Sequence, residues 1–216
     1  MRIVNHFVLA AMASLGIVAY VTYEPPINPD PNHTHADFAV WMDGEKLGFS
    51  GPEFMSESEG EETDDNHEVH GHKHHPYLHL HDGNGHVIHR HKPGLSLREF
   101  LRSIGIEAVN DISSGAPCID PVTLKASGSM EQACLRLFVN GTEIQPRPGA
   151  DLLEYVFDDL DQILITDTSD DSEIDQQLSD ITEDACLYSK TCPERGKPPV
   201  ENCIADPAVP CVSPLD

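Results

Sequence analysis

The sequence predicts an α+β fold: a small mixed sheet with one packed helix. An N-terminal transmembrane or signal helix precedes it, and an irregular disulfide-bonded tail follows. Three observations predict this. Two segments, 33–50 and 77–91, alternate with the period of a strand and carry turn signals at their centres. One segment, 96–105, has apolar residues at helical spacing between clear end signals. Two more apolar runs, 135–139 and 162–166, have strand length. At 216 residues, the chain has room for one ordinary domain, or one with a tail. Only 39% of residues are apolar and 6% aromatic, so the expected core is small for the chain.

Residues 1–23 form the first part. Arg2 precedes Ile3 to Tyr23, which carry no formal charge. A basic start and a run about 20 residues long suit a membrane anchor. The next basic residue is Lys46, so the chain is expected to leave the cytoplasm after residue 23. Ala11-Met12-Ala13 is a small-residue cleavage pattern, but it falls inside the apolar run. An uncleaved anchor facing the extracytoplasmic side is therefore the reading, with a secreted protein if the segment is cut. Residues 24–32 are a Pro-rich, extended spacer.

The main domain is read as 33–166. Ala36 to Met42 alternates, Asp43-Gly44 is a tight-turn signal, and Glu45 to Phe49 returns. Residues 51–75 crowd eight acids, from Glu53 to Glu68, with His67, His70, His72, His74 and His75, and are expected to be a disordered insertion. Tyr77-Leu78-His79-Leu80-His81 is a strand with one apolar face and one histidine face. Asp82-Gly83-Asn84-Gly85 is turn chemistry, and His86 to His91 returns. Ser96-Leu97-Arg98-Glu99 is a capping box. Leu97, Phe100, Leu101 and Ile104 make an apolar stripe, and Gly105 supplies a left-handed stop. Leu135 to Val139 is a strand, Asn140-Gly141 a turn, Leu152 to Val156 a short apolar element, and Gln162 to Thr166 a central strand. From 76 to 166 this order resembles a β-grasp (ubiquitin-like) roll, which implies a fold and no activity.

From Asp151 to Asp184 there are 13 acids and no Lys or Arg. No EF-hand loop is present, and 167–184 is read as a solvated acidic linker. The tail, 185–216, is rich in Cys and Pro. Six cysteines behind a signal-like segment (Cys118, Cys134, Cys186, Cys192, Cys203 and Cys211) read as disulfides. Locality pairs Cys118 with Cys134 and leaves the last four to pair among themselves.

Function is carried by histidine. There are 13 of them, against 37 acids, 13 basic residues and a formal charge of −24. That charge excludes nucleic acid and anionic lipid headgroups as partners, since no cationic field exists to hold phosphates. Residues at i and i+2 of a strand share a face. His79 and His81 therefore point together, as do His89 and His91. If Leu80 opposes Ile88, all four imidazoles share one side and the aliphatics fill the other. That register is preferred because it keeps imidazoles out of the core. His33 and His35 enter a strand with the same spacing.

The predicted metal ligands are thus His33, His35, His79, His81, His89 and His91. Asp37, Asp82 and His86 are placed to orient an imidazole from behind. Imidazole donors without nearby Met or C-x-x-C suit zinc or Cu(II). The expected role is metal binding, buffering or delivery. A zinc hydrolase or hydratase is an alternative, because three ligands and an open position are enough for either. A metal-free module that binds a protein through the histidine face is another.

The segments His33-Thr34-His35-Ala36-Asp37, His79 to His91 and Ser96 to Leu101 resemble a group of uncharacterised prokaryotic proteins. So does Cys186-x5-Cys192-Pro193-Glu194-Arg195-Gly196-Lys197-Pro198-Pro199. Those proteins are small, histidine-rich and exported or membrane-anchored. The resemblance implies the same parts, including the Cys/Pro-rich tail, and no reaction.

Overall fold

The computed structural model describes residues 27–30, 32–56, 75–110, 116–119, 133–197 and 208. The predicted anchor at 3–23, the acidic and histidine run at 57–74, Cys203 and Cys211 lie outside the described residues. Among those described, no helix is long and apolar enough to cross a membrane.

An α+β architecture with a mixed sheet is observed. Strands β1 (Thr34–Met42), β2 (Glu45–Lys46), β3 (Leu78–His79), β4 (Val87–Arg90), β8 (Arg136–Val139), β9 (Thr142–Ile144) and β10 (Gln162–Thr166) form the main sheet. Its order is β3-β4-β1-β10-β8-β9, with β2 paired to β1. β1 and β10 are parallel, from Asp37 opposite Gln162 to Trp41 opposite Thr166. The other pairings in this sheet are antiparallel. The centre of the sheet is therefore β1 beside β10, and the strand that His35 enters lies in one sheet with the 77–91 hairpin. A small sheet of β5 (Ala108–Asn110), β6 (Pro117–Ile119) and β7 (Ala133–Cys134) stands apart, with Cys118 bonded to Cys134 as expected.

Local chemistry explains the elements. Asp43 and Gly44 both take positive φ, 52° and 78°, as a two-residue hairpin turn requires. The return strand keeps only the exposed pair Glu45–Lys46. Helix α1 (Leu97–Ser103) begins where the Ser96 amide donates to Glu99 Oε2 at 2.8 Å, and Gly105 at φ 81° ends it. Its stripe of Leu97, Phe100, Leu101 and Ile104 is buried against Phe38, Leu80, Ile88, Leu137 and Ile163. Fully burying one such side chain stabilises the fold by about 1.5–3 kcal/mol.

The opposite face of the sheet is also covered, which the sequence did not foresee. The expected solvated linker carries helix α2 (Asp171–Ser179). Ile174, Leu178 and Ile181 stand at helical spacing among exposed acids, and this stripe packs on Ala39, Phe138 and Leu164. The expected irregular tail opens with a single turn, α3 (Ala185–Tyr188), packed on Val87. Among the described residues three α-helices are therefore present, where the sequence predicted one packed on the sheet. The start of the expected disordered insertion is ordered as well: Pro52–Phe54 form a 3-10 turn, and Phe54 and Met55 pack on the core.

Candidate metal centre

Register builds the site. His79 opposes His89 across β3 and β4, and His35 opposes His89 across β4 and β1. The first pairing is the register expected from keeping imidazoles out of the core. Leu78, Leu80 and Ile88 accordingly lie fully buried on the α1 side. Two features set this hairpin's loop. Gly83 takes φ 69°. Gly85 passes so close to the Phe49–Ser50 peptide that a Cβ there would lie 2.4 Å from it. The Asn84 side chain accepts from the amides of His86 and Val87, which closes the turn.

Six imidazoles gather on the other face: His35, His79 and His89 from three strands, and His33, His81 and His91 from just beyond their ends. Ring centroids lie 3.9 Å apart for His81 and His89, 4.0 Å for His33 and His91, and 4.6 Å for His33 and His35. His35 and His89 are 4.8 Å apart, and His79 and His91 4.9 Å. His35, His79, His89 and His91 are each at most 4% exposed, while His33 and His81 are half-buried. His33, His35 and His89 each offer one donor atom, and the three lie within 4.8 Å of one another. Zinc–nitrogen bonds near 2.05 Å at tetrahedral angles place donors about 3.3 Å apart, so the set would close by at most about 1.5 Å to share an ion.

Two relays bear on which nitrogen His35 and His89 leave for a metal. Ser189 Oγ donates to Asp159 Oδ1 at 2.6 Å and lies 2.7 Å from His35 Nδ1. A carboxylate only accepts, so the serine proton goes to Asp159, and the serine oxygen accepts from His35 Nδ1–H. The lone pair of His35 is then on Nε2. In the second relay His81 Nδ1 lies 2.7 Å from Asp82 Oδ2, and His81 Nε2 lies 3.1 Å from His89 Nδ1. With His81 neutral, its Nδ1–H serves Asp82 and its Nε2 accepts from His89, which leaves the His89 lone pair on Nε2 as well. A carboxylate behind an imidazole raises its basicity and holds its orientation, as metal-bound histidines require.

The covering segment is pinned to this face. Tyr188 stands edge-on to His89 at 4.6 Å and accepts from Asn84 Nδ2. Asp37, predicted to orient an imidazole, instead accepts from Thr182 Oγ1 and from the amides of Asp184 and Ala185. It anchors α3 over the cluster, because its position two residues beyond His35 places it at the cover's edge. Burial pushes its carboxyl above the ordinary value, against the hydrogen bonds that lower it. His86, given the same expected role, pairs through Nε2 with Asp184 Oδ2 at 2.9 Å, while Arg195 holds the other oxygen of Asp184. It too is a latch for the C-terminal segment. Asp82 contacts the imidazole of His81. A disulfide between Cys186 and Cys192 closes the loop that carries Tyr188 and Ser189. His75, the last of the acidic-tract histidines, accepts from the Tyr77 amide through Nδ1, and burial lowers its pKa.

Sequence reasoning missed Asp159, Tyr188 and Ser189. Ser189 is 154 positions from His35, and no local pattern links them.

Fold and site together define an α+β protein with a buried histidine cluster that can hold a metal ion. Compared with known proteins, the chain matches no family model, no curated protein and no solved structure.

Proposed function

We propose that the chain is an extracytoplasmic, membrane-anchored metal-binding protein that holds zinc or Cu(II) at His33, His35 and His89 for buffering or delivery. The carrying observation is the pair of relays behind this triad: Asp159–Ser189 sets the His35 tautomer, and Asp82–His81 sets that of His89. The export half of the reading draws on the two disulfides, which suit an oxidising compartment, and on the uncharged run after Arg2. The net charge of −24 favours cation capture. The strand order, with its central parallel pair, supports a β-grasp roll whose first strand is β1. Binding is preferred to zinc hydrolysis or hydration because His35 and His89 are at most 1% exposed beneath Tyr188 and Ser189, which leaves a substrate little access.

The test is metal analysis of protein purified without a polyhistidine tag or a nickel column. A zinc titration then compares the wild type with His35→Ala/His89→Ala. The reading expects tight binding that the double variant loses. Equal affinity and stoichiometry in the two proteins would overturn it.

A further inference from the structure

His89 lies at the middle of the histidine cluster. Its ring neighbours His33 and His35 on one side, and His79 and His81 on the other, at 6.4, 4.8, 6.4 and 3.9 Å between centroids. An imidazole carries its two nitrogens on different edges of the ring. His89 offers Nε2 to the triad with His33 and His35 once its Nδ1 is engaged by His81. Its Nδ1 edge faces His81 Nε2 at 3.1 Å. That spacing is what two nitrogens show when bound to one ion, about 2.9–3.4 Å for bonds near 2.05 Å at angles from 90° to tetrahedral. An ion bonded to both nitrogens would lie about 1.3 Å off the line between them, where the shared proton sits, so each ring would turn by roughly 40° to bind it.

We infer that the cluster holds a second divalent ion, between His81 Nε2 and His89 Nδ1, with His89 bridging the two ions as an imidazolate. His79 flanks this pair, its ring 5.8 Å from that of His81 and nearly parallel to that of His89. Asp82, on the far nitrogen of His81, provides the carboxylate backing that Asp159 provides, through Ser189, for His35. The step balances as an exchange. The ion bonds to His89 Nδ1 and His81 Nε2, the Nδ1–H bond of His89 breaks, and one proton leaves to solvent. No electron moves. This second position rests on the triad reading, since without a first ion the His89 ring has nothing to bridge.

The experiment is a Cu(II) titration of the full chain followed by electron paramagnetic resonance. His67, His70, His72 and His74 are replaced by Asn in every arm to silence the acidic tract. One equivalent is expected to give the signal of an isolated Cu(II). At two equivalents the double-integrated intensity is expected to fall below half of two spins, because spins couple antiferromagnetically through the imidazolate. His81→Gln is expected to weaken the first equivalent, because His89 loses its backing partner, and to lose the second equivalent and the coupling altogether. A wild type that stops at one equivalent overturns the second position and leaves the triad standing. Two equivalents with full two-spin intensity, or a His81→Gln protein that still couples two ions, also overturn it. No tight Cu(II) or zinc binding at all removes the triad reading together with this one.

Discussion

Ser189 Oγ lies 2.7 Å from His35 Nδ1, and this contact joins the C-terminal segment to the first strand of the sheet. Through it, the carboxylate of Asp159 decides which nitrogen of His35 carries the proton. A residue outside the sheet therefore sets the chemistry of a residue within it.

Ser189→Ala breaks the relay between Asp159 and His35. Loss of such a backing partner lowers metal affinity roughly 10- to 100-fold. Asp159→Asn is expected to fall in the same range, because both changes cut one chain. The double variant should be little worse than either single one, as coupled residues are not additive. Competition against a chromophoric chelator measures all three, and fully additive losses would refute the relay.

Asp37→Asn should alter how stability varies with pH. Burial raises the folded carboxyl above its ordinary 3.8, so the folded state binds the proton more tightly than the unfolded chain does. Stability contributed by this group is greatest below 3.8, falls as pH rises through the window up to the raised value, and stays low above it. The asparagine variant does not titrate. The difference in unfolding free energy between the two proteins should therefore slope within that window and be flat above it. Urea unfolding across a pH series checks this, and a difference that stays constant throughout contradicts it.

Cys186→Ala/Cys192→Ala opens a small loop whose two cysteines are six positions apart. Chain entropy for a loop of that size is worth about 2 kcal/mol. Tyr188 and Ser189 lie inside the loop, so metal dissociation should accelerate along with the fall in stability. Stopped-flow transfer of zinc to a chelator gives the rate. An unchanged rate would separate the disulfide from the cover over the cluster.

Gly85→Ala places a Cβ 2.4 Å from backbone atoms of Phe49 and Ser50, which cannot move aside as a side chain can. A cost of roughly 1–3 kcal/mol follows from such overpacking. The strain falls on the loop that sets the β3–β4 register, so metal affinity should drop as well. Thermal unfolding and a zinc titration read the two effects. A variant that matches the wild type in both would show that this loop does not hold the register.

Much of this was written locally. The alternation of Leu78, His79, Leu80 and His81 sorts imidazole from aliphatic whatever surrounds it, since the strand period is two. Burial of Ile88 with the leucines then selects one register, and that register brings His79 opposite His89. The helix at Leu97–Ser103, its cap and its stop follow from residues within ten positions of one another. The Cys118–Cys134 bond was legible from proximity along the chain.

The sequence by itself determined which residues share a strand face, where the packed helix begins and ends, and that histidine is the chain's chemical speciality. Only the tertiary structure decided that β1 lies at the centre of the sheet beside β10, and that His35 therefore meets His89. It alone decided that the acidic stretch becomes a helix and that Asp37 holds the cover rather than an imidazole. The reason is range. Periodicity and capping act over a few residues, whereas strand order and the contact of Ser189 with His35 join positions more than a hundred apart. Such contacts form only because both faces of the sheet must be covered, and that requirement belongs to the whole chain rather than to any segment of it.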